Sequence, residues 1–113
     1  MQIAIQVAAA LGFLGVALGA FGAHLLNPLL TANGTTAVWQ TAVLYQLIHA
    51  VAGLWAAGRN PTVVWLWAVG IIFFSGSLYM LAVTNIKWLG AITPIGGLLF
   101  LAGWAVLVLK PQS

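Results

Sequence analysis

The side chains able to do chemistry are few, and they are grouped. Tyr45, Gln46 and His49 lie close together, as do Ser75, Ser77 and Tyr79, and Thr93 stands beside Pro94 in the run Ile92-Thr93-Pro94-Ile95-Gly96-Gly97. A serine near a histidine is the minimum for nucleophilic hydrolysis, because the imidazole must take the hydroxyl proton. The Gly-x-Ser-Gly motif of intramembrane serine proteases would need glycine where this chain has Phe73. With no Asp or Glu anywhere, nothing exists to orient the imidazole. No catalytic residue is assigned, and the chain is expected not to be an enzyme. Metal chemistry fails on ligand supply. Two histidines, His24 and His49, with no Cys and no carboxylate cannot complete a structural zinc site. Paired-histidine haem ligation needs matched depth, and these two differ by about 15 Å along their helices. No metal and no cofactor is expected.

What remains for these polar groups is hydrogen bonding, and the composition says in which solvent. Of 113 residues, 64% are hydrophobic and 3% charged, with a mean hydropathy of +1.14. A soluble domain is roughly a quarter charged, and a chain this short buries only about 60% of its surface. The bilayer is therefore the solvent. The net charge of +3 comes from Arg59, Lys87 and Lys110. Three scattered cations make membrane anchors, not a nucleic-acid footprint. With no Cys, disulfides and thiolate chemistry are excluded.

The elements that position the polar groups follow from the apolar runs, at about 3–26, 37–58, 62–83 and 88–109. Each has about 22 to 24 residues, enough to cross a core near 30 Å. Asn27-Pro28, Asn33-Gly34, Arg59-Asn60-Pro61, Thr84-Asn85-Ile86-Lys87 and Lys110-Pro111 supply the breaks. The fold class is all-α, an integral membrane four-helix bundle with residues 1–113 as one membrane domain. The first run lacks a basic leader and is too long for a signal-peptide core, so it is expected to stay as a span. Both termini then share a side with Arg59 and Lys110, against Lys87 alone, which favours cytoplasmic termini. The six tryptophans are expected at the two interfaces.

Ala8, Gly12, Gly15, Gly19 and Gly22 step by 4, 3, 4 and 3, one stripe of the first helix. Such stripes let helices approach closely in lipid, within one bundle or between copies of it. Gly96 and Gly103 are candidates for the facing stripe. Counted from the Lys87 side, Tyr45, Gln46, His49, Ser75, Ser77, Tyr79 and Thr93 are expected to form a one-sided polar layer, with His24 at its rim. The layer is either interhelical glue or a binding site. Gln46 or His49 should bond to the third or fourth helix, and the layer should line any cavity. Pro94, inside the fourth run, is expected to kink that helix and act as a hinge.

Four stretches in order and spacing carry a family resemblance: Gly19-Ala20-Phe21-Gly22-Ala23-His24; Trp39-Gln40-Thr41-Ala42 with Tyr45-Gln46 and His49-Ala50; Phe74-Ser75-Gly76-Ser77-Leu78-Tyr79; and Ile92-Thr93-Pro94-Ile95-Gly96-Gly97 with Gly103-Trp104. The chain resembles the small membrane proteins of domain-of-unknown-function family 423, the YgdD-like proteins, over essentially its whole length. The resemblance implies four membrane helices and, for bacterial members, the inner membrane. It implies no activity. The expected role is a non-enzymatic membrane protein that packs helices and binds lipid, a small molecule, a partner helix or a second copy of itself. The alternative is a subunit of an oligomeric transporter or channel.

Overall fold

The computed structural model describes residues 2–113. Its elements are α1 (Gln2–Ala23), α2 (Asn27–Asn33), α3 (Thr36–Ala56), α4 (Pro61–Thr84), a 3₁₀ turn (Lys87–Ala91) and α5 (Thr93–Leu109). Four segments are long and apolar enough to cross a membrane: α1, α3, α4, and the turn with α5, Lys87–Leu109. They run antiparallel in sequence order, α1 against α3, α3 against α4 and α4 against α5. Helices α3 and α4 are thus central, with α1 and α5 on the flanks of a body 47 × 25 × 17 Å.

The ends differ from the apolar runs for local reasons. The first helix stops at Ala23, so His24 lies in the turn that follows it. The segment expected as a plain break folds into α2. Pro28 sits in the first turn of α2, where a missing N–H costs nothing, and Leu30 is buried in the bundle. Gly34 closes α2 in the left-handed region, φ 69°, with its N–H donating to the Leu30 and Thr31 carbonyls.

The fourth run is not one continuous helix. It opens with the 3₁₀ turn, and Pro94 falls in the first turn of α5. A proline in a first turn starts a helix instead of bending one. The expected mid-helix kink at Pro94 is therefore replaced by a break between two elements.

Polar side chains close the helix ends. The last carbonyls of a helix lack intrahelical donors. For α4 they are supplied by Asn33, whose Nδ2 donates to Ala82 and Val83 at 3.1 and 3.2 Å, and by Thr35, whose Oγ1 donates to Ala82 at 2.7 Å. At the other end Asn60 Nδ2 donates to the Lys110 carbonyl at 3.1 Å.

The larger core lies toward the termini, built from Ala4, Ala8, Ala56, Ala57, Val63, Val64, Trp67, Ile71 and Phe100. A smaller one around Leu30, Trp39 and Ala82 lies at the Lys87 end. Two tryptophans are turned inward, Trp67 at 1% exposed and Trp39 at 5%, whereas Trp55, Trp65, Trp88 and Trp104 face outward. An indole can be turned inward when its N–H finds an acceptor. Both find one.

Candidate functional site

The buried polar groups form separate links between helices. Tyr79 on α4 donates its hydroxyl to Gln46 Oε1 at 2.7 Å, and Gln46 Nε2 donates to the Leu11 carbonyl of α1 at 2.8 Å. This chain ties α4 to α3 and α3 to α1. Ser75 Oγ donates to the Ala42 carbonyl of α3 at 2.7 Å. Ser77 Oγ donates to Phe74 O at 3.0 Å and lies 2.6 Å from Thr93 Oγ1. With the Ser77 proton on Phe74, Thr93 must be the donor of that pair, which ties α5 to α4.

His49 makes the fourth link. Its Nε2 is 3.0 Å from Trp104 Nε1 and its Nδ1 is 2.7 Å from the Tyr45 carbonyl. An indole only donates and a carbonyl only accepts. The proton is therefore on Nδ1, and the ring is the neutral tautomer. The ring stacks on Phe100, centroids 3.8 Å apart at 10°.

Several donors end on a neighbouring helix's carbonyl, and glycines explain how three of them reach it. Trp39 Nε1 donates to Leu18 O at 2.9 Å, Gln46 Nε2 to Leu11 O, and Trp67 Nε1 to Phe100 O at 3.1 Å. The residue four or three positions after each acceptor is Gly22, Gly15 or Gly103. A Cβ on Gly22 would overlap the Trp39 indole nitrogen, and one on Gly103 the Trp67 indole nitrogen. A Cβ on Gly15 would meet Leu47 Cδ2 at 2.7 Å and Gln46 Cγ at 3.5 Å. Each glycine is a window through which a side chain lies flat on the helix and reaches its backbone.

The expected site residues are thus partly brought together. Gly12, Gly15, Gly19 and Gly22 face α3, within one chain. Gly96 and Gly103 do not face α1: they pack on α4, against Gly70, Phe74 and Trp67. Gly19 is half-exposed, beside Val43. The polar groups do not form a single one-sided layer. His49 is 13 residues from Thr36 (49 − 36) but only 7 from Ala56 (56 − 49), so it lies in the termini half. Tyr45 is 39% exposed, its ring against Phe74 and Phe100. His24 is exposed and separate, beside Phe21 and Leu25. Ser75 and His49 bond to different partners, so no nucleophile–base pair forms among the described residues.

Of the expected polar groups only His24 borders one of the two described grooves, the smaller; Tyr45, Gln46, His49, Ser75, Ser77, Tyr79 and Thr93 line neither. The larger, of about 440 Å³, lies between the end of α1 and the start of α3, with α2 closing its head. Asn27, Thr36 and Gln40 supply its polar lining; the sequence marks Asn27 only as a break and Gln40 only as part of the family resemblance, and none of the three is expected as a site residue. The available signal was Gly19 and Gly22, which remove side chains from its α1 wall. Elsewhere the interior is saturated: no buried side-chain nitrogen or oxygen lacks a partner among the described residues.

The profile of a family described as "Protein of unknown function (DUF423)" matches residues 18–97. A UPF0382 membrane protein of Staphylococcus saprophyticus is 45% identical, the match covering 96% of each chain. The UPF0382 membrane protein YwdK of Bacillus subtilis is 42% identical over 96% of this chain and 94% of its own. The UPF0382 inner membrane protein YgdD of Escherichia coli is 42% identical over 89% of this chain and 82% of its own. No solved structure matches.

Proposed function

Because the chain belongs to the DUF423 family, whose function is unknown, we propose a role from its geometry: a non-catalytic integral membrane protein that binds a component of the bilayer on its surface. The observation that carries this reading is the saturated interior. Tyr79, Gln46, Ser75, Ser77, Thr93 and His49 spend their hydrogen bonds on other helices or their own turn. A site for chemistry, or a pathway for a solute, needs polar groups aimed at the ligand, and here they are aimed at protein. That also weighs against the transporter or channel subunit. The binding surface is then the half-open groove, where Asn27, Thr36 and Gln40 keep donors that no protein group takes up among the described residues.

The test is native mass spectrometry of the protein released from mild detergent. One or more lipids should survive on each folded chain, whether it flies alone or as a homo-oligomer. A chain that sheds every lipid, or a Ser75 that reacts with a fluorophosphonate probe, would overturn the reading.

The membrane is taken to be the bacterial inner membrane, as the name of the Escherichia coli relative states for that protein. The termini are placed in the cytoplasm, since Arg59 and Lys110 outnumber Lys87. A reporter fused after Ser113 should be active in the cytoplasm; activity only in the periplasm would reverse the orientation.

A further inference from the structure

We infer that the groove between α1 and α3 holds one acyl chain of a glycerolipid from the leaflet on the Lys87 side, with the lipid's ester and headgroup oxygens at Asn27, Thr36 and Gln40. This rests on the surface-binding reading above and names its ligand.

The first argument is length. The α3 wall runs from Thr36 to Leu47, 11 residues (47 − 36). At 1.5 Å per residue that is about 16 Å, close to half of a core about 30 Å thick. The groove therefore begins at one interface and ends near the midplane, spanning one leaflet.

The second is a polarity gradient. Thr36 and Gln40 lie within the first turn and a half of α3, and Asn27, which begins α2, lines the same groove. Val43, Leu44 and Leu47 follow at greater depth, Val43 against the bare backbone of Gly19 and Leu47 against Gly15. A glycerolipid has the same sequence of chemistry along its length, acceptor oxygens first and hydrocarbon after.

The third is the state of the polar groups. Thr36 and Gln40 make no side-chain hydrogen bond among the described residues, and the Asn27 side chain only accepts, from Thr31 at 3.5 Å. Two amide donors and a hydroxyl are left for a ligand, which must bring acceptors. No charged residue lines the groove. Recognition there is by hydrogen bonds to ester or phosphate oxygens and not by net charge.

The recess is also built to stay open. Trp39, which lines it, is pinned by its indole bond to Leu18 O across Gly22, so the ring cannot swing out to fill it. Its volume, about 440 Å³, lies within the range of about 300–1,000 Å³ usual for small-ligand sites.

The experiment titrates delipidated full-length protein with phosphatidylethanolamine and counts bound lipids by native mass spectrometry. The parent should hold one lipid more tightly than the rest. Leu44→Trp, which fills the groove from its exposed side, should weaken that lipid by about tenfold or more. Gln40→Leu should weaken it less, and Ile72→Trp, on the exposed face of α4, should leave it unchanged. If Leu44→Trp does not fold, Gln40→Leu against Ile72→Trp carries the comparison. A tight lipid on the parent that both groove variants retain would overturn the assignment of the groove while leaving surface binding intact. A parent with no tight lipid would remove both. A second protein copy held in place of lipid, and lost in Leu44→Trp, would overturn the choice of a lipid as occupant.

Discussion

Gly96→Ala is expected to destabilise the bundle by about 3 kcal/mol, although it adds one methyl group. A Cβ at Gly96 would overlap the backbone nitrogen of Phe74 and lie 2.6 Å from the Gly70 carbonyl oxygen. These are backbone atoms of a helix, which cannot step aside as a side chain can. The α4–α5 crossing would have to open, moving Phe100 off Gly70 and loosening the Trp67 indole from the Phe100 carbonyl. Two nearby glycines are controls. A Cβ on Gly97 meets Phe74 Cδ2 at 4.0 Å, an ordinary contact, and one on Gly76 meets nothing. Gly97→Ala and Gly76→Ala should be neutral or stabilising by up to about 1 kcal/mol, since alanine is the better helix former. Thermal unfolding in detergent, followed by circular dichroism, separates the cases. Equal melting of all three variants would contradict the crossing.

Gln46→Leu is the second large effect, at about 2 kcal/mol. Interhelical hydrogen bonds in membranes are worth only about 0.6 kcal/mol on average, so deleting a balanced pair should cost little. Gln46 is not half of a balanced pair. It stands between Tyr79 and Leu11, accepting from one and donating to the other. Leucine at 46 leaves the Tyr79 hydroxyl with no acceptor in an apolar surround, and stranding a buried polar group costs more than its bond was worth. The Leu11 carbonyl suffers less, because its helical bond remains. The asymmetry gives a test by double-mutant cycle. Adding Tyr79→Phe to Gln46→Leu should recover part of the loss. A double variant worse than Gln46→Leu by the full cost of Tyr79→Phe alone would mean that the two side chains are not coupled.

The spans were legible in the sequence because apolar length is a strong signal and turn residues bound it. Their ends were less so, for reasons that can be named. Asn27-Pro28 reads equally as a break or as the first turn of a helix; only the burial of Leu30 decides for the helix. Pro94 reads as a kink if the fourth run is one helix and as a helix start if it is two. The polar residues were legible as a group, since few exist. Their partners were not, because most partners are carbonyls, which every residue has. The glycine stripe was visible, but its use was not. A sequence shows that Gly22 and Gly103 lack side chains; it does not show that tryptophans from other helices lie over them. The groove was missed because Asn27, Thr36 and Gln40 look like ordinary interfacial polar residues until α1 and α2 enclose them.

On the proposed reading the molecule has an interior that holds the fold and a surface groove that holds a lipid. The most direct test of that reading is to measure melting temperature and bound lipid together on Gln46→Leu, reconstituted beside the parent. The variant should show a lower melting temperature with the same tightly held lipid on each folded chain. A variant that melts with the parent and has lost the lipid would contradict the reading, and would make the Gln46 cluster the binding site.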